Sequence, residues 1–233
     1  MSKLINILRY ERTFELMNLK IHYEIKTRFP KLNVLTLNIQ GLKIKKRDCE
    51  LENFKLKVIK EIRNEYNIDS VKDETTFRAY RDFFWSIRID PTKTRPASEA
   101  LIRRILAGKK FPTINTLVDA YNLASIKSKI ALATFDADKL EGEILMRFSK
   151  EGEKIWGIGM KKPFILKEGK IVISDTKKLI AVYPYRDSDN TKVTEKTEKV
   201  TIIICGVPGI TKEVLKSASN MTFKYISRFC KEK

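Results

Sequence analysis

The spacing of apolar and polar positions along the chain changes period several times, and each change predicts an element. Residues 19–25 and 35–39 alternate with a period of two and read as strands, separated by a turn at Pro30 and followed by a bend at Gly41. Over residues 50–66 the apolar side chains Leu51, Phe54, Val58, Ile59 and Ile62 recur with the period of an amphipathic helix. A polar linker leads into a second helical stretch, with Phe77, Tyr80, Phe84 and Ile87 on one face. Aromatic residues at that spacing read as core, although Arg78, Arg81 and Arg88 beside them leave base stacking open. A third helix opens at Pro96 and closes at Gly108. Its adjacent Arg103 and Arg104 lie about 100° apart around the axis, so one can meet the core boundary while the other faces water.

A fourth helix begins at Asn115, whose side chain can cap it, and Leu117, Val118, Tyr121 and Ala124 give it an apolar face. Asn115, Asp119 and Asn122 follow one another at i, i+4 and i+7, a stripe of short polar side chains beside that face. Short strands are expected near 131–135, 143–148, 154–158, 170–173, 179–183 and 200–205, with glycines between them. A last helix, 211–229, would turn Val214, Ala218, Met221, Tyr225 and Phe229 toward a sheet. No internal repeat is visible. The expected fold is α+β: a single domain with mixed or antiparallel sheets in a sandwich-like core and flanking helices, spanning 19–233, with 1–18 as an accessory segment.

At 233 residues and 42% hydrophobic, the chain can bury a sizeable core. Its formal charge of +18, from 47 Lys and Arg against 29 Asp and Glu, exceeds what solubility requires and favours polyanions as partners. A single glutamine, Gln40, and abundant Lys, Glu and Ile also describe a thermophile-like surface. The basic run LKIKKRD at 42–48, with Lys43, Lys45, Lys46 and Arg47, is either a solvated loop or a phosphate contact. Three scattered cysteines, Cys49, Cys205 and Cys230, form neither a disulfide framework nor a zinc site and suit a reducing cytoplasm. Charges interrupt every apolar run in the first 25 residues, which excludes a signal peptide or membrane span there. Neither GxGxxG, GxxxxGK[ST] nor GxSxG occurs, and the one histidine, His22, lies far from the polar stripe. No cofactor or metal is expected.

Four segments occur in a telling order: SEALIRR (98–104), INTLVDAYNLAS (114–125), ALATFDADKLEGEILMRFSKEGE (131–153) and YRDSDNT (185–191). Together they resemble the tRNA-binding and editing domain of the phenylalanyl-tRNA synthetase beta subunit, and more closely the short stand-alone proteins related to it. The resemblance spans about 34–206 and implies the corresponding fold, tRNA as partner, and hydrolysis in trans of the ester joining a wrong amino acid to tRNA. Such an ester is already activated, so an oriented water and a stabilised oxyanion suffice without a protein nucleophile. No ligase machinery is evident.

Asn122 matches the synthetase pattern, but the pocket histidine falls at Ala133, the glutamate at Ile203 and the arginine before the central helix at Pro112. What remains as candidates are Asn122, Thr191 and Asp119 for catalysis, and Asn115, Tyr185, Arg186, Asp187 and Arg104 for substrate binding. Asp119 or Asp187 would hold the substrate amino group, Asn122 and Thr191 would orient water, and an arginine would clamp a phosphate or carbonyl. Alternatively, Asp119 with Arg186 or Arg104 forms structural hydrogen bonds between helix and sheet. The missing histidine and glutamate keep open a non-catalytic tRNA- or RNA-binding module, and a subunit of a larger complex is a third reading.

Overall fold

The computed structural model describes residues 14–231. One sheet contains β1 (Phe14–Asn18), β3 (Leu35–Gln40), β4 (Ala131–Asp136) and β11 (Lys199–Cys205), ordered β1-β3-β11-β4 and antiparallel throughout. The second contains β2 (Lys20–Ile21), β5 (Leu145–Phe148), β8 (Ile171–Ser174), β9 (Leu179–Val182) and β10 (Arg186–Asp187), ordered β10-β9-β8-β5-β2, with only β2 and β5 parallel. A hairpin of β6 (Lys154–Ile155) and β7 (Phe164–Ile165) forms a separate two-stranded sheet, with Ile155 packed against residues of β8 and β9. The described residues also form six α-helices: α1 (Tyr23–Arg28), α2 (Cys49–Glu65), α3 (Thr75–Ser86), α4 (Ala97–Leu106), α5 (Thr116–Ser128) and α6 (Lys212–Phe229). The class is α+β with antiparallel and mixed sheets. No helix of the described residues is long and apolar enough to cross a membrane.

β11 explains the arrangement of the first sheet. Its run VTIIIC is buried on both faces, as a strand between two neighbours beneath covering elements must be. α5 packs along α6 and against α2, α4 and β4, and is buried nearly all round. α3 locks the end of this sheet: the Tyr80 hydroxyl donates to the Cys205 carbonyl and accepts from the Ala131 amide at 3.0 Å. The Tyr183 hydroxyl, from the second sheet, donates to the Gly206 carbonyl. Gly206 is required there, because a Cβ would lie 2.1 Å from the Asn33 carbonyl oxygen.

The readings of 19–25 and of the inner face of the last helix are corrected. The strand at 19–25 is instead the short β2 followed by α1. Ile21 and Ile25 are both buried, and their four-residue spacing fits a helical turn as well as an alternating strand. Residues 14–18, within the segment read as accessory, form the edge strand β1, while residues before 14 lie outside the described region. In α6 the buried face is Leu215, Ala218, Ser219, Thr222, Ile226 and Phe229, with Val214 exposed at 42%. The face is rotated by about one residue because small hydroxyls can sit inside it. Thr222 satisfies its own hydroxyl by donating to the Ala218 carbonyl at 2.7 Å.

Candidate active site

α5 starts as its sequence dictates: the Asn115 side chain accepts from the Val118 amide at 2.9 Å. One turn on, Asp119 is buried, with Oδ1 accepting from the Ile114 amide at 3.0 Å and Oδ2 2.6 Å from Lys55 Nζ of α2. Lys55 is itself buried and also donates to Glu52 at 2.7 Å and to the Thr113 hydroxyl at 3.2 Å. Burial raises the Asp119 carboxyl above its usual range, and hydrogen bonds from Lys55 and Ile114 pull it back. Between Thr116 and Ile126 only Tyr121 and Asn122 are not buried, so the middle of α5 reaches solvent there, ahead of the half-buried Lys127 and Ser128 at its end. The Asn122 amide has no hydrogen-bond partner among the described residues.

Asp187 of β10 is close enough for its charge to act on Tyr121. Burial pushes its carboxyl up to about 7, outweighing the pull of the neighbouring Arg186 charge. No described residue donates a hydrogen bond to it. Its charge reaches two groups on different elements. The Tyr121 phenol is held well above its usual range by burial, then by Asp187 and Asp119. The Cys205 thiol is raised by burial and then by Asp187. Asp187 is therefore within electrostatic reach of both α5 and the strand end that carries Cys205.

Cys205 pairs with Ala131 and Ile203 with Ala133 in adjacent antiparallel strands. The two positions where the resemblance expects a histidine and a glutamate are thus direct cross-strand neighbours. Here they contribute a methyl group and a branched hydrocarbon, both buried.

The B3/4 domain model matches residues 79–231, most of the chain. The chain belongs to the B3/4 domain family. The phenylalanine–tRNA ligase beta subunit of Fusobacterium nucleatum is 32% identical over 115 residues, covering 49% of this chain and 14% of that subunit. Its counterpart in Ureaplasma parvum is 25% identical over 103 residues, 44% of this chain and 13% of that one. That of Protochlamydia amoebophila is 32% identical over 91 residues, 39% and 11% of the two chains. The matched stretch is thus a small part of each relative's length. Among solved structures, an N-terminal fragment of the phenylalanyl-tRNA synthetase beta subunit from Pyrococcus horikoshii aligns with a TM-score of 0.43 and 19% identity, over 49% of this chain and 41% of that one.

Within this B3/4 domain the remaining candidates separate. Tyr185 is half-buried and meets Phe84 edge-on, 6.5 Å between ring centroids. Arg186 is exposed, and its stem crosses Gly157, where a Cβ would lie 2.5 Å from Arg186 Cδ. Thr191, expected to orient water, is fully buried and donates its hydroxyl to the Ser188 carbonyl at 3.4 Å, inside a short 3-10 turn. Arg104 is exposed and donates to the Lys110 carbonyl at 2.6 Å, beyond the end of its own helix. Its neighbour Arg103 turns inward to the buried Glu99, at 2.8 Å. In the alternative reading Asp119 pairs with Arg186 or Arg104; the structure instead pairs it with Lys55.

The sequence reading missed Lys55 and saw Tyr121 only as core. Lys55 carried a signal: it falls between Leu51 and Val58 on the apolar face of α2, where a lysine needs a buried carboxylate. Among the described residues no group of three His, Cys, Asp or Glu side chains is placed to hold a metal ion.

Proposed function

We propose that the chain binds tRNA and hydrolyses the ester of a mischarged aminoacyl-tRNA in trans, with the ionised Asp187 holding the substrate amino group and Asn122 orienting the attacking water. The observation that carries this reading is the Asp187 carboxyl, pushed by burial up to about 7 and within electrostatic reach of Tyr121, beside the part-exposed Asn122. Membership of the B3/4 family, relatives named as phenylalanine–tRNA ligase beta subunits and the +18 charge support the tRNA part. Asp119 and Thr191 serve as supports: one braces α5 on α2 and the other closes a turn. With Ala133 and Ile203 buried and apolar, neither supplies acid–base chemistry, and the attack rests on the oriented water and the already activated ester.

The test is deacylation of a panel of correctly and incorrectly charged tRNAs, with tRNA binding measured in the same samples. One mischarged species is expected to be hydrolysed at a rate that climbs as pH rises through about 7, after subtraction of the spontaneous rate. Asp187→Asn should lower that rate at least about 100-fold with folding intact. Binding without hydrolysis would support a second reading, a non-catalytic tRNA-binding module, which the apolar pair Ala133 and Ile203 favours.

A further inference from the structure

The β6–β7 hairpin gathers exposed apolar surface beside unpaired positive charge. Of the eleven large hydrophobic residues exposed among the described residues, Trp156 (44%), Ile158 (50%), Phe164 (43%) and Ile165 (58%) fall within this one arm. So dense a patch marks a contact surface rather than scattered exposure. The arm is fixed in place. Trp156 Nε1 donates to the Met160 carbonyl at 2.8 Å, and the Met160 amide donates to the Gly157 carbonyl at 3.0 Å. Two further backbone bonds join it to the candidate site: Ile158 N to the Asp187 carbonyl at 3.0 Å, and Asp189 N to the Trp156 carbonyl at 2.7 Å.

Lys154, Lys161 and Lys162 are exposed on the same arm, and none is paired with a carboxylate of the described residues. Nearby Lys177 and Lys178 differ, being held by Glu141 at 2.9 and 3.3 Å. A cavity of about 320 Å³ beside Trp156 has Lys154, Lys177 and Asn190 on its walls, and its two carboxylates are already paired, Glu153 with Arg147 at 2.7 Å and Asp175 with Lys178 at 3.1 Å. Aromatic faces flanked by free lysines suit unpaired nucleotides, which offer flat bases and a phosphate backbone. A second copy of the chain fits poorly, because it would face these lysines with lysines of its own. We propose that the hairpin is the docking surface for the unpaired 3′-terminal nucleotides of the charged tRNA, with bases stacked on Trp156 and Phe164 and phosphates met by Lys154, Lys161 and Lys162. This rests on the tRNA reading above and adds how the esterified end is led to Asp187.

The experiment compares binding of one tRNA, intact and with its single-stranded 3′ end trimmed, to the wild type and to Trp156→Ala, Phe164→Ala and the Lys161→Ala/Lys162→Ala double variant. Intact tRNA should bind about five- to 100-fold more tightly than trimmed tRNA, and each aromatic substitution should reduce that advantage without weakening trimmed binding. The lysine pair should lower the salt slope for intact tRNA by about 1.4. Equal binding of both forms by the wild type, or an undiminished advantage in both aromatic variants, overturns the hairpin assignment while leaving tRNA binding standing. Failure to bind either form overturns both. Sedimentation of the same samples covers the other occupant: a concentration-dependent dimer lost in Trp156→Ala assigns the arm to a second copy and overturns the proposal.

Discussion

Asp187 holds a proton in the folded protein that the unfolded chain would release, since its carboxyl moves from 3.8 to about 7. The sign follows: its unfavourable effect on stability is absent below about pH 4, grows as pH rises, and levels off above about 7. Asp187→Asn is therefore expected to stabilise the protein at pH 8 by on the order of 1–3 kcal/mol, and by nothing measurable near pH 3.5. Urea midpoints at the two pH values check this, and equal midpoints at pH 8 would mean that the carboxyl is not desolvated. A substitution that strengthens the fold while removing hydrolysis would identify a group kept for its chemistry. Asp119 is raised by burial too, but unlike Asp187 it has a cationic partner, Lys55, at 2.6 Å. Lys55→Met alone leaves a buried carboxylate unpaired and should cost about 3–5 kcal/mol, whereas adding Asp119→Leu should recover most of the loss. A double variant no more stable than the single one would show that the two groups are not coupled.

At the scale of elements, α5 was legible because its signals are local. Asn115 stands where the cap is needed and the strand after the helix is an unbroken apolar run. Asn115→Ala should cost about 1 kcal/mol, read as a shifted denaturant midpoint with the earliest loss of amide protection in the first turn of α5. An unchanged midpoint would mean that the Val118 amide finds another acceptor. α1 was not legible, since Leu19, Ile21 and Ile25 satisfy a two-residue and a four-residue spacing alike. Nor was the inner face of α6, where Ser219 and Thr222 displaced Val214 and Met221. The candidate site was half legible: Asn122 and Asp187 stood in recognisable motifs. Nothing in the sequence showed that Tyr121 would feel Asp187, or that Ala133 and Ile203 would pair, because both facts arise from packing between distant segments.

For the whole molecule, the basic loop 42–48 gives the charge a direction. Leu42 and Ile44 point inward while Lys43, Lys45, Lys46 and Arg47 are exposed. The loop is fastened to the start of α5 by two bonds, Thr116 N to the Lys45 carbonyl at 2.9 Å and Lys45 N to the Thr116 hydroxyl at 3.0 Å. Contact with about five phosphates predicts a slope of roughly −3.5 for log affinity against log salt. Lys46→Ala/Arg47→Ala should weaken charged and uncharged tRNA alike and make that slope shallower by about 1.4, with turnover of bound substrate unchanged. A slope that stays the same would place the phosphates elsewhere.

The strand order of the first sheet has a bearing on how the protein is made. β11 separates β3 from β4, and the Thr201 hydroxyl meets the Asn38 side chain at 2.9 Å across 163 positions of chain. During synthesis one edge of β3 stays bare until β11 leaves the ribosome, so the sheet closes late and through long-range pairing, which slows folding. The nascent protein thus passes through an interval in which an apolar strand edge waits for its partner and is open to aggregation or to a chaperone.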